Sequence, residues 1–542
     1  NQGSITISSG AKEIFDPAAT PTSKEPTGGV ELVAPAGAAN VTIKVNGKVI
    51  PDSQVTVINT PSGKLRMPAE TSVGLYVNTL AGSNPINGLN LITKEADLIF
   101  GTEATTSTNS KYIKVGGNIL APYNDALLNN PGINWKLYSG SYTWLSTVTK
   151  NADGTIKELT MAKVPYTAYA SNMATPVETT DTFNFLDGLE QRYGVEHLKS
   201  REREVFNKLN SIGNNEEILF DQAVDEMMGH QYANTQQRIY QTGSILDKEF
   251  SYLRNEWQNV SKDSNKIKTF GTKGEYRTST AGVHDYTNNA YGVAYVHENE
   301  TLNLGKTSGW YTGIVENRIK FKDIGGSKEE QLQGKIGVFK SIPFDYDNSL
   351  NWTVSGELSL GYNKMNRRFW VVDDVFNAKS RYWNYGAAIK NEVSKDFRLS
   401  EDFSFKPYAS ARVEYGRISK IREKSGEIKL EVKSNDYYSI KPEIGSELIF
   451  KHVANNKTFK ATLGIAYENE LGKIANGKNK ARVLDTTADW FNIRGEKEDR
   501  HGNVKTDLKI GVDNSRVGLT ANIGYDTKGR NVRGGVGLRV IF

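Results

Sequence analysis

From residue 266 to residue 542 the side chains alternate with period two, run after run. The last run puts Val532, Gly534, Val536, Leu538, Val540 and Phe542 on one face, and Arg533, Gly535, Gly537, Arg539 and Ile541 on the other. The run before it sets Val517, Leu519, Ala521, Ile523 and Tyr525 against Gly518, Thr520, Asn522 and Gly524. Others set Val504, Thr506, Leu508, Ile510 and Val512 against Lys505, Asp507, Lys509 and Gly511, and Ala409, Ala411, Val413 and Tyr415 against Ser410, Arg412 and Glu414. Alternation marks strands with one apolar face. A soluble antiparallel sheet alternates too, with that face turned inward. Here the second face mixes charge with glycine, as at Lys441, Glu443, Gly445 and Glu447. The runs are also long, about 10–16 residues, where strands of soluble sheets average about 5–6. A tilted membrane-spanning strand needs about 9–11. The pattern therefore points to a tube, apolar outside and wet inside.

Twelve such runs start near residues 266, 288, 306, 329, 350, 380, 402, 427, 457, 485, 516 and 531. An even number suits a single-chain bacterial barrel. Closure is obligatory in hydrocarbon, where every backbone N–H and C=O needs an internal partner. Short Asn/Asp turns at 344–349, 453–458 and 512–516 alternate with longer charged loops, read at 364–379 and 471–484. Short periplasmic turns opposite long external loops are the outer-membrane pattern. Aromatic pairs recur near strand ends, at Trp310-Tyr311, Phe369-Trp370, Tyr382-Trp383 and Tyr437-Tyr438, and suit interfacial girdles. Twelve strands leave a lumen between the filled eight-stranded barrel and the open 16-stranded porin, wide enough for about one helix.

Mean hydropathy is -0.52 and 37% of residues are hydrophobic, which alone would suit a soluble protein. No run of about 18 apolar residues exists, so a helical membrane protein is excluded. A barrel shows lipid only every second side chain, and the 50 Gly, 26 Tyr, 20 Phe and 8 Trp fit one. The chain has no Cys, which fits an exported chain that stays unlocked in transit. A net charge of +5 from 67 basic and 62 acidic residues points to no nucleic acid. Residue 1 opens NQGSITISSG, which lacks a signal peptide's charged start and apolar core and reads as the middle of a repetitive β-structure.

Proline separates what precedes the barrel. Twelve of the 15 prolines lie between Pro17 and Pro176, and only Pro343, Pro407 and Pro442 follow. Residues 1–177 hold short strand-like pieces, VTIKV, SVGLYV, LNLIT and YIKVGG, parted by Asn/Gly turns. They read as a β-helix-like stack, with an ordinary sandwich as the alternative. Trp135, Tyr138, Tyr142 and Trp144, with a hairpin signal at Asn151–Gly154, would cap its open end. Residues 178–265 read as helical. Leu186, Leu189, Tyr193, Leu198, Phe206 and Leu209 keep helix-like spacing, Gly213 breaks it, a second helix begins near Glu216, and Gly229 bends it. From Gln231 the stretch is polar nearly all round, with Arg238 among its charges and Ile239, Leu246, Phe250, Leu253 and Trp257 thinly spread. Such a helix needs a wet housing. Its reach of about 40 Å matches a bilayer with headgroups, so it reads as a plug in the pore, against a solvated hairpin between soluble domains.

This layout resembles a classical monomeric autotransporter of type V secretion. The terminal Val536, Leu538, Val540 and Phe542 resemble the family's last strand, which the barrel-assembly machinery reads. Phe220–Trp257 resembles its conserved-helix motif and pore helix, with Gly229-His230 where the family has Gly-Glu. GSYTW and the hairpin after it look like the capping, autochaperone end of a β-helical passenger. The resemblance implies 1–177 as the end of a passenger, 178–265 as linker and pore helix, and 266–542 as translocator. It implies a monomer in the outer membrane that the passenger leaves through the barrel, with the pore helix remaining as plug.

Chemistry is sparse. Some autotransporters cut the passenger inside the pore at paired asparagines. Asn214-Asn215 is the matching pair, but it precedes the second helix, its neighbours differ, and Asn-Asn beside Gly reads first as a turn. The six His show no metal-ligand spacing, and there is no G-x-S-x-G or phosphate loop. No cofactor, metal or catalytic residue is expected. The expected function is export and display of the chain's own passenger, an adhesin by analogy, toward a receptor on a host or neighbouring cell. Two alternatives stand, a porin-like channel with a soluble β-domain, and the carrier of an enzymatic passenger whose active site lies upstream.

Overall fold

The computed structural model describes residues 72–81, 90–92, 95–171, 179–255, 264–278, 280–301, 306–474, 479–495, 502–514 and 516–541, and the backbone of short strands at 5–8, 30–33, 42–45, 48–49, 55–60 and 63–68. Trp257 and Phe542 lie outside the described residues.

Twelve long strands form a closed antiparallel barrel. They are β1 Ser264–Tyr276, β2 Tyr286–Thr301, β3 Lys306–Phe321, β4 Lys328–Pro343, β5 Leu350–Val371, β6 Asp374–Lys395, β7 Phe403–Ile418, β8 Asn435–Ala454, β9 Lys457–Asn469, β10 Gly502–Asn514, β11 Val517–Asp526 and β12 Asn531–Ile541. The ring closes where β1 pairs with β12, Ile267 opposite Leu538. The sidedness is inverted relative to a soluble protein. Leu358, Leu463 and Val536 are 63%, 56% and 61% exposed, whereas Lys268, Arg412 and Arg533 are 1%, 6% and 1%. A contiguous apolar exterior of this extent requires lipid. Among the described residues no helix is long and apolar enough to cross a membrane.

Two of the twelve expected strand starts were misplaced. The run near 427 falls in a short strand, Leu430–Val432, and the barrel strand begins at Asn435. The run near 485 lies between short strands at Lys480–Val483 and Phe491–Asn492, and the barrel strand begins at Gly502. These short pieces, with Ile421–Gly426, pair into a small sheet built from the two longest loops. The expected loop at 364–379 is instead strand, because β5 and β6 run on to a two-residue turn at Val372-Asp373. Twenty-two residues at about 3.3 Å each exceed the hydrocarbon thickness. Beyond the lipid the outer face no longer needs to be apolar, so the sequence there imitates a loop.

The chain divides into two compact units. One holds residues 1–174, 189–222 and 371–373, the other 175–188, 223–370 and 374–542. In the first, strands 72–77, 95–100 and 134–139 pair in parallel, the ladder expected of stacked β-helix coils. Leu75, Val77, Leu98 and Phe100 point into its core. The hairpin Trp144–Lys150 with Ile156–Lys163 follows, and Gly154 at φ +85° makes its turn. The helices are α1 Gly117–Leu128, α2 Thr179–Arg192, α3 Arg201–Asn210, α4 Glu217–Met227 and α5 Thr235–Asn255. The helix expected across Leu186–Leu209 is thus two. Gly194 at φ +78° follows α2, and Ser200 caps α3 by accepting from the Arg203 N–H.

Candidate functional site

The site is the barrel lumen and the helix within it. α5 is polar nearly all round because its surroundings are. Gln236, Gln237, Arg238, Thr242 and Glu249 are all buried. The Arg238 guanidinium lies 2.8 Å from Glu329 of β4, and Tyr382 of β6 donates to the other oxygen of that carboxylate at 2.9 Å. Asn317 of β3 donates to the Thr242 hydroxyl at 2.8 Å, and Gln333 of β4 donates to the Ile239 carbonyl at 3.0 Å. Glu249 pairs with Lys268 of β1 at 2.7 Å. Asp247 meets Lys335 at 2.6 Å and Arg412 at 3.0 Å, and both cations also pair with Glu357. Tyr252 donates to Asp507 at 2.6 Å.

One stripe of the helix is apolar. Ile245, Leu246, Phe250 and Leu253 pack on Phe270, Ala290, Ala294, Val296, Tyr311, Val315 and Phe339 of β1 to β4. Small residues make the approach close. A Cβ on Gly313 would sit 2.9 Å from Leu246, and one on Gly243 of the helix would sit 3.1 Å from Gln333. The helix therefore leans on the first four strands. On its other side a cavity of about 110 Å³ remains, lined by Lys390, Glu392, Lys441, Glu443, Glu468 and Lys505 among others.

The helix ends fix its direction. Its last turn leads to β1, at the end of the barrel with the short turns. At the other end, beside the long loops, α4 ends at Met227, and Gly229 follows with a left-handed φ of +78° that breaks the helical run. Buried Arg367 of β5 holds this point, donating to the Met227 and Ile428 carbonyls at 3.2 and 2.9 Å and pairing with buried Glu423 at 2.8 Å. Glu226 accepts the Trp370 N–H at 3.3 Å, and burial, helped by the nearby Asp323 and Asp225, pushes its carboxyl up to about 7. His230 Nδ1 accepts the Arg494 N–H at 3.3 Å, and burial holds this imidazole below its ordinary range. Burial also works to raise Asp225, but His230 and Arg494 outweigh it and keep the carboxyl below the usual carboxylate range.

The expected site residues separate into three places. Arg238, Ile239, Leu246, Phe250 and Leu253 all lie on α5 within the lumen. Val536 and Leu538 face outward on β12, and Val540 is half-buried. Asn214 lies in the first unit, before α4, with its N–H on the Gly140 carbonyl at 3.2 Å and its amide on Ser139. Its neighbour Asn215 is exposed in the turn there. Sequence reasoning missed Glu329, Asp247, Glu357, Arg412, Arg367 and Glu423. Glu329, Glu357 and Arg412 were readable on the inward face of the alternating runs, whereas Arg367 fell in the stretch read as loop, Glu423 sits in a loop strand and Asp247 is on α5. None of their partners across the lumen was readable. Among the described residues no three acidic or His side chains are placed to hold a metal ion.

Residues 266–524 match the family model described as "Autotransporter beta-domain". The barrel is a classical autotransporter translocator domain. Among solved structures, it is similar to the translocator domain of the autotransporter NalP from Neisseria meningitidis, at 13% identity, TM-score 0.45, over 58% of this chain and 100% of that one. The beta domain of the Bordetella autotransporter BrkA is 17% identical, with TM-score 0.38, over 52% and 100%. The transport unit of AIDA-I from Escherichia coli is 11% identical, with TM-score 0.36, over 56% and 98%. No curated protein matches the chain in sequence. An autotransporter beta-domain resides in the bacterial outer membrane and serves export of a passenger, which makes this barrel a transport domain rather than an enzyme.

Proposed function

We propose that residues 1–177 are the end of a passenger that this autotransporter carries through its own barrel and displays on the cell surface. The plug helix supports this reading best. The upstream chain enters the helix at its end beside the long loops, while its other end leads to β1 at the end with the short turns. A chain so threaded has its upstream residues outside. The passenger acts as an adhesin toward a receptor on a host or neighbouring cell. Its stacked strands support that role, since a long, repetitive surface offers many contacts and needs no catalytic cluster. The barrel works as a monomer in lipid, and the barrel-assembly machinery reads its last strand through Val536, Leu538, Val540 and Phe542.

An epitope within residues 151–154, the turn of the capping hairpin, should be stained on intact cells. Staining only after permeabilisation would refute display. Phe542→Ala should reduce the folded barrel in the outer membrane; normal assembly would remove that role. Cells carrying the full-length chain should bind surfaces that cells lacking it do not, and equal binding would end the adhesin reading. A porin-like channel is the second reading, favoured by the cavity beside the helix. Large, steady conductance of the intact chain in planar bilayers would select it.

A further inference from the structure

The chain passes back and forth between the two units. Residues 1–174 belong to the first, 175–188 to the barrel unit, 189–222 to the first again, and 223 onward to the barrel unit apart from 371–373. α2 therefore begins in one and ends in the other.

Within the first unit, residues 189–222 complete the core of residues 95–171. Trp144 of the capping hairpin is buried, and its indole N–H donates to Asn210 Oδ1 at 2.8 Å. Asn210 also donates to the Thr105 and Tyr193 hydroxyls, each at 3.2 Å, while its carbonyl accepts from Ser141 at 2.9 Å. The backbone joins in. The Tyr142 N–H donates to the Ile212 carbonyl at 2.8 Å. Tyr166 stacks on Phe206 and meets Tyr193 edge-on. Lys163 pairs with Glu190 at 2.5 Å, the same carboxylate that accepts the Tyr166 N–H at 3.0 Å. Within the barrel unit, residues 181–188 of α2 sit on the loop sheet. Asp181 accepts the Asn492 N–H at 2.8 Å, Asn184 donates to the Trp490 carbonyl at 3.0 Å, and Phe185 meets Phe491 edge-on at 5.5 Å. Val483 lies so close that a Cβ on Gly188 would be 2.6 Å from it.

We propose that residues 189–222 are a docking segment that keeps the passenger on the cell after its backbone is cut between residues 171 and 179. The partner is the chain's own capping module. A cut there severs one covalent link and leaves the aromatic core and the Asn210 network intact. Dissociation would expose this aromatic core to water and break the Asn210 bonds together, so release is slow. This inference rests on the reading of residues 1–177 as displayed passenger.

The test replaces residues 172–178 of the full chain by a protease recognition sequence and adds the protease to intact cells. Cut passenger that sediments with the cells is the expected result, and cut passenger in the medium overturns the inference. Cutting only after permeabilisation refutes surface display and the inference with it. Uncut Asn210→Ala should still be displayed, but once cut it should leave the cells roughly tenfold faster. If Asn210→Ala fails to reach the surface, Trp144→Phe, which removes only the donor and part of the ring, takes its place. A release rate unchanged by the substitution refutes this seat as the hold.

Discussion

Arg238 of the plug helix and Glu329 of β4 meet at 2.8 Å, and neither side chain reaches solvent. Two charges in such a place contribute little net stability when paired, because desolvation offsets their attraction. Removing one leaves the other buried and unpaired. The pair therefore fixes where the helix sits more than it strengthens the barrel.

Glu329→Ala should loosen the plug. Breaking a buried pair costs about 3–5 kcal/mol, and here Tyr382 loses an acceptor as well. The expected outcome is frequent channel opening in planar bilayers while the barrel still resists heat on gels. Arg238→Met combined with Glu329→Leu should restore a closed lumen. A leaky double variant would show that the charges themselves, rather than their balance, seal the pore.

Gly243→Leu tests the close approach on the same helix. A side chain there meets Gln333 and Lys335 within 3.3 Å. Overpacking of this kind costs about 1–3 kcal/mol. Alanine, a better helix former than glycine by about 1 kcal/mol, should come out near neutral. Melting of the plug, followed by protease access to α5, should rank glycine and alanine above leucine. A leucine variant as stable as the parent would mean that the helix stands farther from β4.

Much of this was legible in the sequence and some was not, for physical reasons. Alternation gave the barrel because lipid and water on opposite faces impose period two at every position between them. It failed at 364–379, near 427 and near 485, where the chain has left the hydrocarbon and that rule lapses. The plug was readable because a helix carrying Gln236, Arg238, Thr242 and Glu249 on its several sides has no stable place except a wet pore. Its partners were hidden. Which inward residue of β4 faces Arg238 depends on strand tilt and stagger, and neither is written in any one strand. The seat of residues 189–222 was hidden for a similar reason. Leu189, Phe206 and Leu209 read as one helix face, and no periodicity says which unit that face will join.

The outer face makes its own prediction. Leu463 of β9 is exposed to lipid, whereas its neighbour Thr462 points inward and is buried. Leu463→Arg should cost about 2–4 kcal/mol if it lies near the bilayer midplane, and should reduce folded barrel in the outer membrane. Thr462→Ser, one residue away, should assemble as the parent does. Equal assembly of the arginine variant would place Leu463 outside the hydrocarbon.

Glu226 predicts how the outer mouth responds to pH. Its folded value, about 7, lies above the ordinary carboxyl value of 4.5, so the folded state holds the proton more tightly than the unfolded state does. Folding is then favoured where the group is protonated, and stability falls as pH rises from about 4.5 through about 7. The loss levels off above that, at about 3 kcal/mol. His230 acts in the opposite sense. Its imidazole is held below the ordinary 6.5, so it costs stability only as pH drops through and below that value. Glu226→Gln keeps an oxygen to accept the Trp370 N–H and removes the titration. Melting of the refolded full chain from pH 5 to 8 should therefore show the parent falling relative to Glu226→Gln, with the gap widest at pH 8. A constant gap across that range would show that Glu226 stays ionised in the folded mouth, and that water or a cation reaches it there.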